Sequence, residues 1–79
     1  MIKGENTDLY INGHTVHIQT EDWGAEQQVF VCRVFKNGSV LKTFKLPYSQ
    51  VGPLNSVLAK QQVLNRFHQK IIDWSYQEI

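Results

Sequence analysis

Two histidines, His14 and His17, with Glu21 and Asp22 close behind them, are residue types that could hold a metal ion. Their spacing works against it. The surrounding residues alternate as in a strand, and positions 14 and 17 of a strand point to opposite faces, so the two imidazoles cannot share one ion. A second constellation is tighter. A turn at Asn12-Gly13 sets Asp8 across from His17, with Tyr10 one step along and Gln19 and Glu21 continuing the row. A carboxylate beside an imidazole favours the protonated ring and can orient a general base. No nucleophile or oxyanion-binding group accompanies the pair. The single cysteine, Cys32, falls on the expected core face, where a thiol behaves as a small inert hydrophobe. Cross-strand pairing that stabilises the hairpin is the simpler reading of Asp8 and His17. No catalytic residue, metal ligand or cofactor is assigned.

A different chemistry sits further along. Arg33, Lys36, Lys42 and Lys45 stand beside Phe35 and Phe44, and aromatic platforms with adjacent cations are how sheets stack single-stranded bases. Against nucleic acid, the aromatic-rich signature of RNA-recognition strands is missing, and Asp8, Glu21 and Asp22 dilute the positive field. Lysines on an edge strand also serve simply to block pairing with other chains. Trp23, in the connection after Asp22, is expected to close the end of the core. His68, at the border of an apolar helix stripe, is expected to hydrogen-bond a strand or loop carbonyl.

The elements that would position these groups are announced by two Asn-Gly pairs, because a type I′ turn needs positive φ at both central residues. The first joins Asp8–Ile11 to His14–Thr20 and pairs Leu9 with Val16. Leu9, Ile11, Val16 and Ile18 then share one face, and Tyr10, Thr15, His17 and Gln19 the other. The second joins Gln28–Lys36 to Ser39–Leu46, setting Phe30 opposite Lys45, Cys32 opposite Thr43, and Val34 opposite Leu41. Its reverse face would carry Val29, Val31, Phe35, Val40, Phe44 and Leu46, with Arg33 opposite Lys42. Like charges so placed are costly to bury, which puts this face outside. After Leu46-Pro47 the chain breaks, and a helix start falls near residues 53–56. From there Val57, Leu64, Phe67, Ile71 and Trp74 form one stripe of an amphipathic helix of about six turns. The predicted architecture is α+β: a four-stranded antiparallel sheet of two hairpins, with one C-terminal helix packed on one face.

Composition bounds the rest. Seventy-nine residues are too few for two domains, so residues 1–79 are expected to form one small domain with a flexible stretch at 1–7. Eight Lys or Arg against seven Asp or Glu give none of the basic excess that makes phosphate binding a default, and the dispersed charge argues against a charged tail. One cysteine permits no internal disulfide and fits a reducing cytoplasm. The first eight residues lack the apolar run of a secretory signal, and no stretch approaches the length of a membrane span, so a soluble, uncleaved chain is expected.

The run His17-Ile18-Gln19-Thr20-Glu21-Asp22, the Asn37-Gly38 hairpin, Tyr48 at the end of its second strand, and a helix with His68 and Ile71-Ile72 together resemble a small bacterial domain of unknown function. That domain is similar over most of the chain's length, with an H-x-Q-T-E-D row before a hairpin and a terminal helix. The resemblance implies a bacterial origin and this strand order, and brings no activity with it.

The functional expectation is therefore a non-catalytic protein-interaction module or homodimer. Its working surface is the outer sheet face, built from Tyr10, His17, Val31, Arg33, Phe35, Val40, Lys42 and Phe44. Such a face is more apolar than a solvated sheet requires. The alternative is a weak single-stranded nucleic-acid binder using Phe35, Phe44, Arg33 and Lys42. A membrane partner is not expected.

Overall fold

Both Asn-Gly pairs form the turns their chemistry demands: Asn12 and Gly13 have φ of 49° and 82°, and Asn37 and Gly38 have 50° and 86°. The computed structural model describes residues 2–79. In chain order they form β1 (Glu5–Ile11), β2 (His14–Asp22), a one-turn helix α1 (Gly24–Gln27), β3 (Val29–Lys36), β4 (Ser39–Pro47), a 3-10 turn at Tyr48–Gln50, and α2 (Val57–Glu78). The strands make one antiparallel meander in the order β1-β2-β3-β4. Strand β1 takes in Glu5–Thr7, and just before it the Lys3 amide donates to Gln61 Oε1 at 3.0 Å. This part of the stretch expected to be flexible is ordered, because its alternation continues that of Leu9 and Ile11 and its backbone pairs with β2.

The first hairpin has the expected register, with Leu9 opposite Val16 and Asp8 opposite His17. The second departs from it. Lys36 pairs with Ser39 and Phe35 with Val40, but Val34 then faces Lys42, leaving Leu41 as the extra residue of a β-bulge. Every pair beyond is offset by one: Cys32 faces Phe44, Phe30 faces Leu46, and Arg33 faces Thr43 in place of Lys42. An unbulged ladder would set fully buried Phe30 against Lys45 and turn Phe44 and Leu46 to water. The bulge reverses both, and it removes the like-charge pairing.

Helix α2 starts at Ser56, whose Oγ accepts the Ala59 amide at 3.1 Å, and lies across the inner sheet face. Leu64, His68, Ile71 and Ser75 form its buried stripe. Val57, expected to belong to that stripe, is exposed in the first turn. The core joins Ile11, Val16, Ile18, Cys32, Val34 and Ile71, with Phe44, Phe67 and Trp74 packed against it. Phe44 and Trp74 meet edge to face, their ring centroids 5.0 Å apart.

His68 is held differently from expectation. Its Nε2 lies 2.7 Å from the Thr7 hydroxyl and its Nδ1 2.6 Å from that of Thr20, so side chains of β1 and β2 take the place of a backbone carbonyl. Fully buried Thr20 needs a partner as much as the imidazole does. Burial holds the His68 pKa below the usual histidine value, against an opposing pull from Glu5. No described helix is long and apolar enough to cross a membrane.

Candidate interaction face

The face opposite α2 is defined by the strand alternation. Asp8 and Tyr10 come from β1, Thr15, His17, Gln19 and Glu21 from β2, Val31, Arg33 and Phe35 from β3, and Val40, Thr43 and Lys45 from β4. Of the eight residues expected to form the working surface, Tyr10, His17, Val31, Arg33, Phe35 and Val40 share this face. Phe44 and Lys42 do not. The Leu41 bulge turns both to the helix side, where Phe44 meets Trp74 and the Lys42 ammonium lies 5.5 Å from the Phe44 ring centroid.

The six that remain form two areas. One is open. Asp8, His17, Phe35 and Val40 lie in one row across all four strands, with Tyr10 beside it on β1. Tyr10 is 73% exposed and Val40 55%. Between them His17 Nδ1 donates to Asp8 Oδ1 at 2.7 Å, and the His17 and Phe35 rings sit 5.8 Å apart. A shallow cavity of about 410 Å³ opens here, lined in part by Asp8, Thr15, His17, Gln19 and Phe35. The expected Asp8–His17 pair is thus present, on an open surface with no hydroxyl or thiol nucleophile in its hydrogen bonds.

The other area is sealed. Val31 is only 1% exposed although it belongs to the outer face. The residues flanking it, Arg33 and Lys45, reach the indole of Trp23, with the guanidinium carbon 5.6 Å and the ammonium 5.8 Å from the ring centroid. Trp23 therefore lies on the sheet's outer side, 38% exposed, and does not close the core end as expected. The β2–β3 connection explains its position. Gly24 and Gln28 both take positive φ, and the Asp22 carboxylate accepts the Gly24 amide at 3.0 Å, which folds α1 into one turn directly after Trp23. The Tyr48 hydroxyl donates to the same carboxylate, and burial together with that contact pushes its pKa up to about 12.

Charge is arranged in a way that the near-neutral total conceals. Residues 27–72 contain no Asp or Glu and seven of the eight Lys and Arg residues. Because the sheet is a simple meander, this block becomes the β3–β4 side and most of α2, while the β1–β2 side holds Glu5, Asp8, Glu21 and Asp22. The signal was available in the sequence as two runs of opposite sign.

Cys32 is fully buried, and burial raises its thiol pKa against a weaker lowering by a Thr20 hydrogen bond. It is placed as packing, far from thiolate chemistry. Among the described residues, no cluster of three or more His, Cys, Asp or Glu side chains could hold a metal ion. His14 and His17 fall on opposite faces, as their spacing requires.

No protein-family model, no curated protein and no solved structure matches the chain.

Proposed function

We propose that the chain is a small non-catalytic interaction module that binds another protein, or its own copy, through the open part of the outer sheet face. The observation that carries this reading is the row of Asp8, His17, Phe35 and Val40 with strongly exposed Tyr10 beside it, on the face that α2 leaves free. Tyrosine and phenylalanine bury large rigid areas at little entropic cost, which is why aromatic side chains are enriched at protein contacts. Relative to the sequence expectation the surface is smaller, since Val31 is covered and Phe44 belongs to the core. The single buried thiol and the bacterial resemblance support a bacterial cytoplasmic setting.

A single-stranded nucleic-acid site on Phe35, Phe44, Arg33 and Lys42 would need both phenylalanines on one platform, and they lie on opposite faces. No observation favours that reading over the first.

Light scattering across a concentration range tests the proposal. A rise in molar mass with concentration that Phe35→Asp abolishes, while circular dichroism and a cooperative unfolding transition show the variant still folded, supports self-association through this face. If the wild type stays monomeric, cross-linking in cell extract decides. Products lost in Phe35→Asp and Tyr10→Ala support a foreign protein partner, whereas identical products overturn the face.

A further inference from the structure

A second surface lies on the opposite side of the sheet, between β4 and the flank of α2. The helix packs mainly over β1, β2 and β3, so the inner side of the fourth strand is only partly roofed. The result is a groove of about 500 Å³ with an aliphatic and aromatic floor that includes Leu46, Val51, Val63 and Phe67. Arg66 and Lys70, one helical turn apart, stand on its wall. The adjoining strand adds exposed Lys42 on the same inner side, while exposed Lys45 stands on the outer side of the same edge, over Trp23. None of these four cations forms an ion pair among the described residues, and the block from 27 to 72 that supplies them has no acid of its own.

We infer that this groove and the free β4 edge beside it bind an extended peptide that alternates aliphatic with acidic side chains, added to the sheet as a fifth strand. β4 is the last strand of the sheet, and between the Leu41 bulge and Pro47 it offers the unpaired backbone of Lys42–Leu46. Alternation on an added strand turns every second side chain toward the groove floor, where aliphatic groups fit, and the rest toward the outer side of the edge, where Lys45 is exposed. Arg66, Lys70 and Lys42 on the groove side add to the positive field around the strand. Charge complementarity selects acids for the peptide. The floor is recessed and mostly aliphatic, with its one aromatic ring, Phe67, half-buried against the core, which favours a peptide over stacked bases. A second copy has the acidic β1 edge to offer, but Leu9 and Ile11 of that strand already pack under their own helix and leave no aliphatic row free.

The test is fluorescence anisotropy of the full chain with a panel of labelled peptides of about nine residues in which Glu alternates with Leu, Ile or Val. At low salt at least one peptide is expected to bind saturably, to weaken as salt rises, and to lose about tenfold in affinity when Arg66→Glu and Lys70→Glu are combined. Both positions are exposed, so circular dichroism of the double variant should match the wild type. Replacing the aliphatic residues of the peptide by Ser, or its Glu by Lys, should abolish binding. The inference is overturned if no panel peptide binds at low salt, if the double charge reversal has no effect, or if the Ser-substituted peptide binds equally well. Tighter binding of a single-stranded oligonucleotide of equal charge, lost in the same double variant, would overturn it too. Phe35→Asp on the other face should leave peptide binding intact, so this groove and the outer-face proposal fail or stand separately.

Discussion

The β1–β2 and β3–β4 hairpins begin with the same Asn-Gly turn in the same left-handed geometry, and both start with two-residue pairing. In the first hairpin that pairing continues to Glu5 opposite Thr20 without interruption. In the second it lasts for two pairs and then shifts at Leu41. The turn therefore governs only its nearest neighbours, and burial governs the rest of the ladder. The magnitudes agree: a bulge forfeits one or two ladder hydrogen bonds at about 1 kcal/mol each. Turning Phe44 and Leu46 from water to the core returns about 1.5–3 kcal/mol for each side chain fully buried. In the first hairpin no such conflict exists, because Leu9, Ile11, Val16 and Ile18 already fall on the inner face from the turn outward.

This contrast can be broken most forcefully at the two phenylalanines. Phe44→Asp should cost about 3 kcal/mol or more, since it places a carboxylate against Trp74 and the core, whereas Phe35→Asp on the outer face should cost about 1 kcal/mol. Urea denaturation measures both, and equal costs would show that the bulge does not set the face of β4. The first hairpin is pinned instead by His68 between Thr7 and Thr20. With its pKa lowered in the fold, His68 is neutral there while the unfolded chain takes up a proton near pH 6.5. Its stabilising effect is complete above that pH and declines as pH falls from there toward the lowered folded value. Denaturation midpoints at about pH 7.5 and pH 5 should therefore differ more in the wild type than in His68→Gln.

Two smaller effects sharpen the comparison. Deleting Leu41 removes the bulge residue but leaves Lys42 opposite Val34 and Phe44 on the inner face, so stability should change by about 1 kcal/mol or less. Nuclear Overhauser contacts between Phe44 and Trp74 should survive, and their loss would mean that Leu41 does more than take up the register. Asp8→Asn, which weakens the outer-face pair with His17, should change stability by about 0.5 kcal/mol or less because Asp8 is 90% exposed. A larger change would give this pair a role beyond cross-strand contact.

Tyr10, His17, Phe35 and Val40 could be assigned to one surface from the sequence because each lies close to an Asn-Gly turn, where pairing follows from turn geometry. Phe44 and Lys42 could not, since they lie beyond the bulge and one extra residue exchanges the two faces of a strand. Trp23 escaped for another reason: a Trp in a connection has no periodicity to orient it. Its place over Val31 follows from the turn conformations around Gly24 and from cations that arrive on β3 and β4.

By itself the sequence determined the α+β architecture, the two turns, the first hairpin's inside and outside, and the capped amphipathic helix. These depend on local rules, namely positive φ at Asn-Gly, alternation in strands and the helical repeat. It also held the division of charge into an acidic first third and a basic block. Only the tertiary structure decided the bulge at Leu41, the cover over Val31, the clamp of His68 between two strands, and the open groove beside β4. Each of these arises where side chains distant in sequence compete for one buried space, and that competition is settled by packing across the sheet and not by any residue's neighbours in the chain.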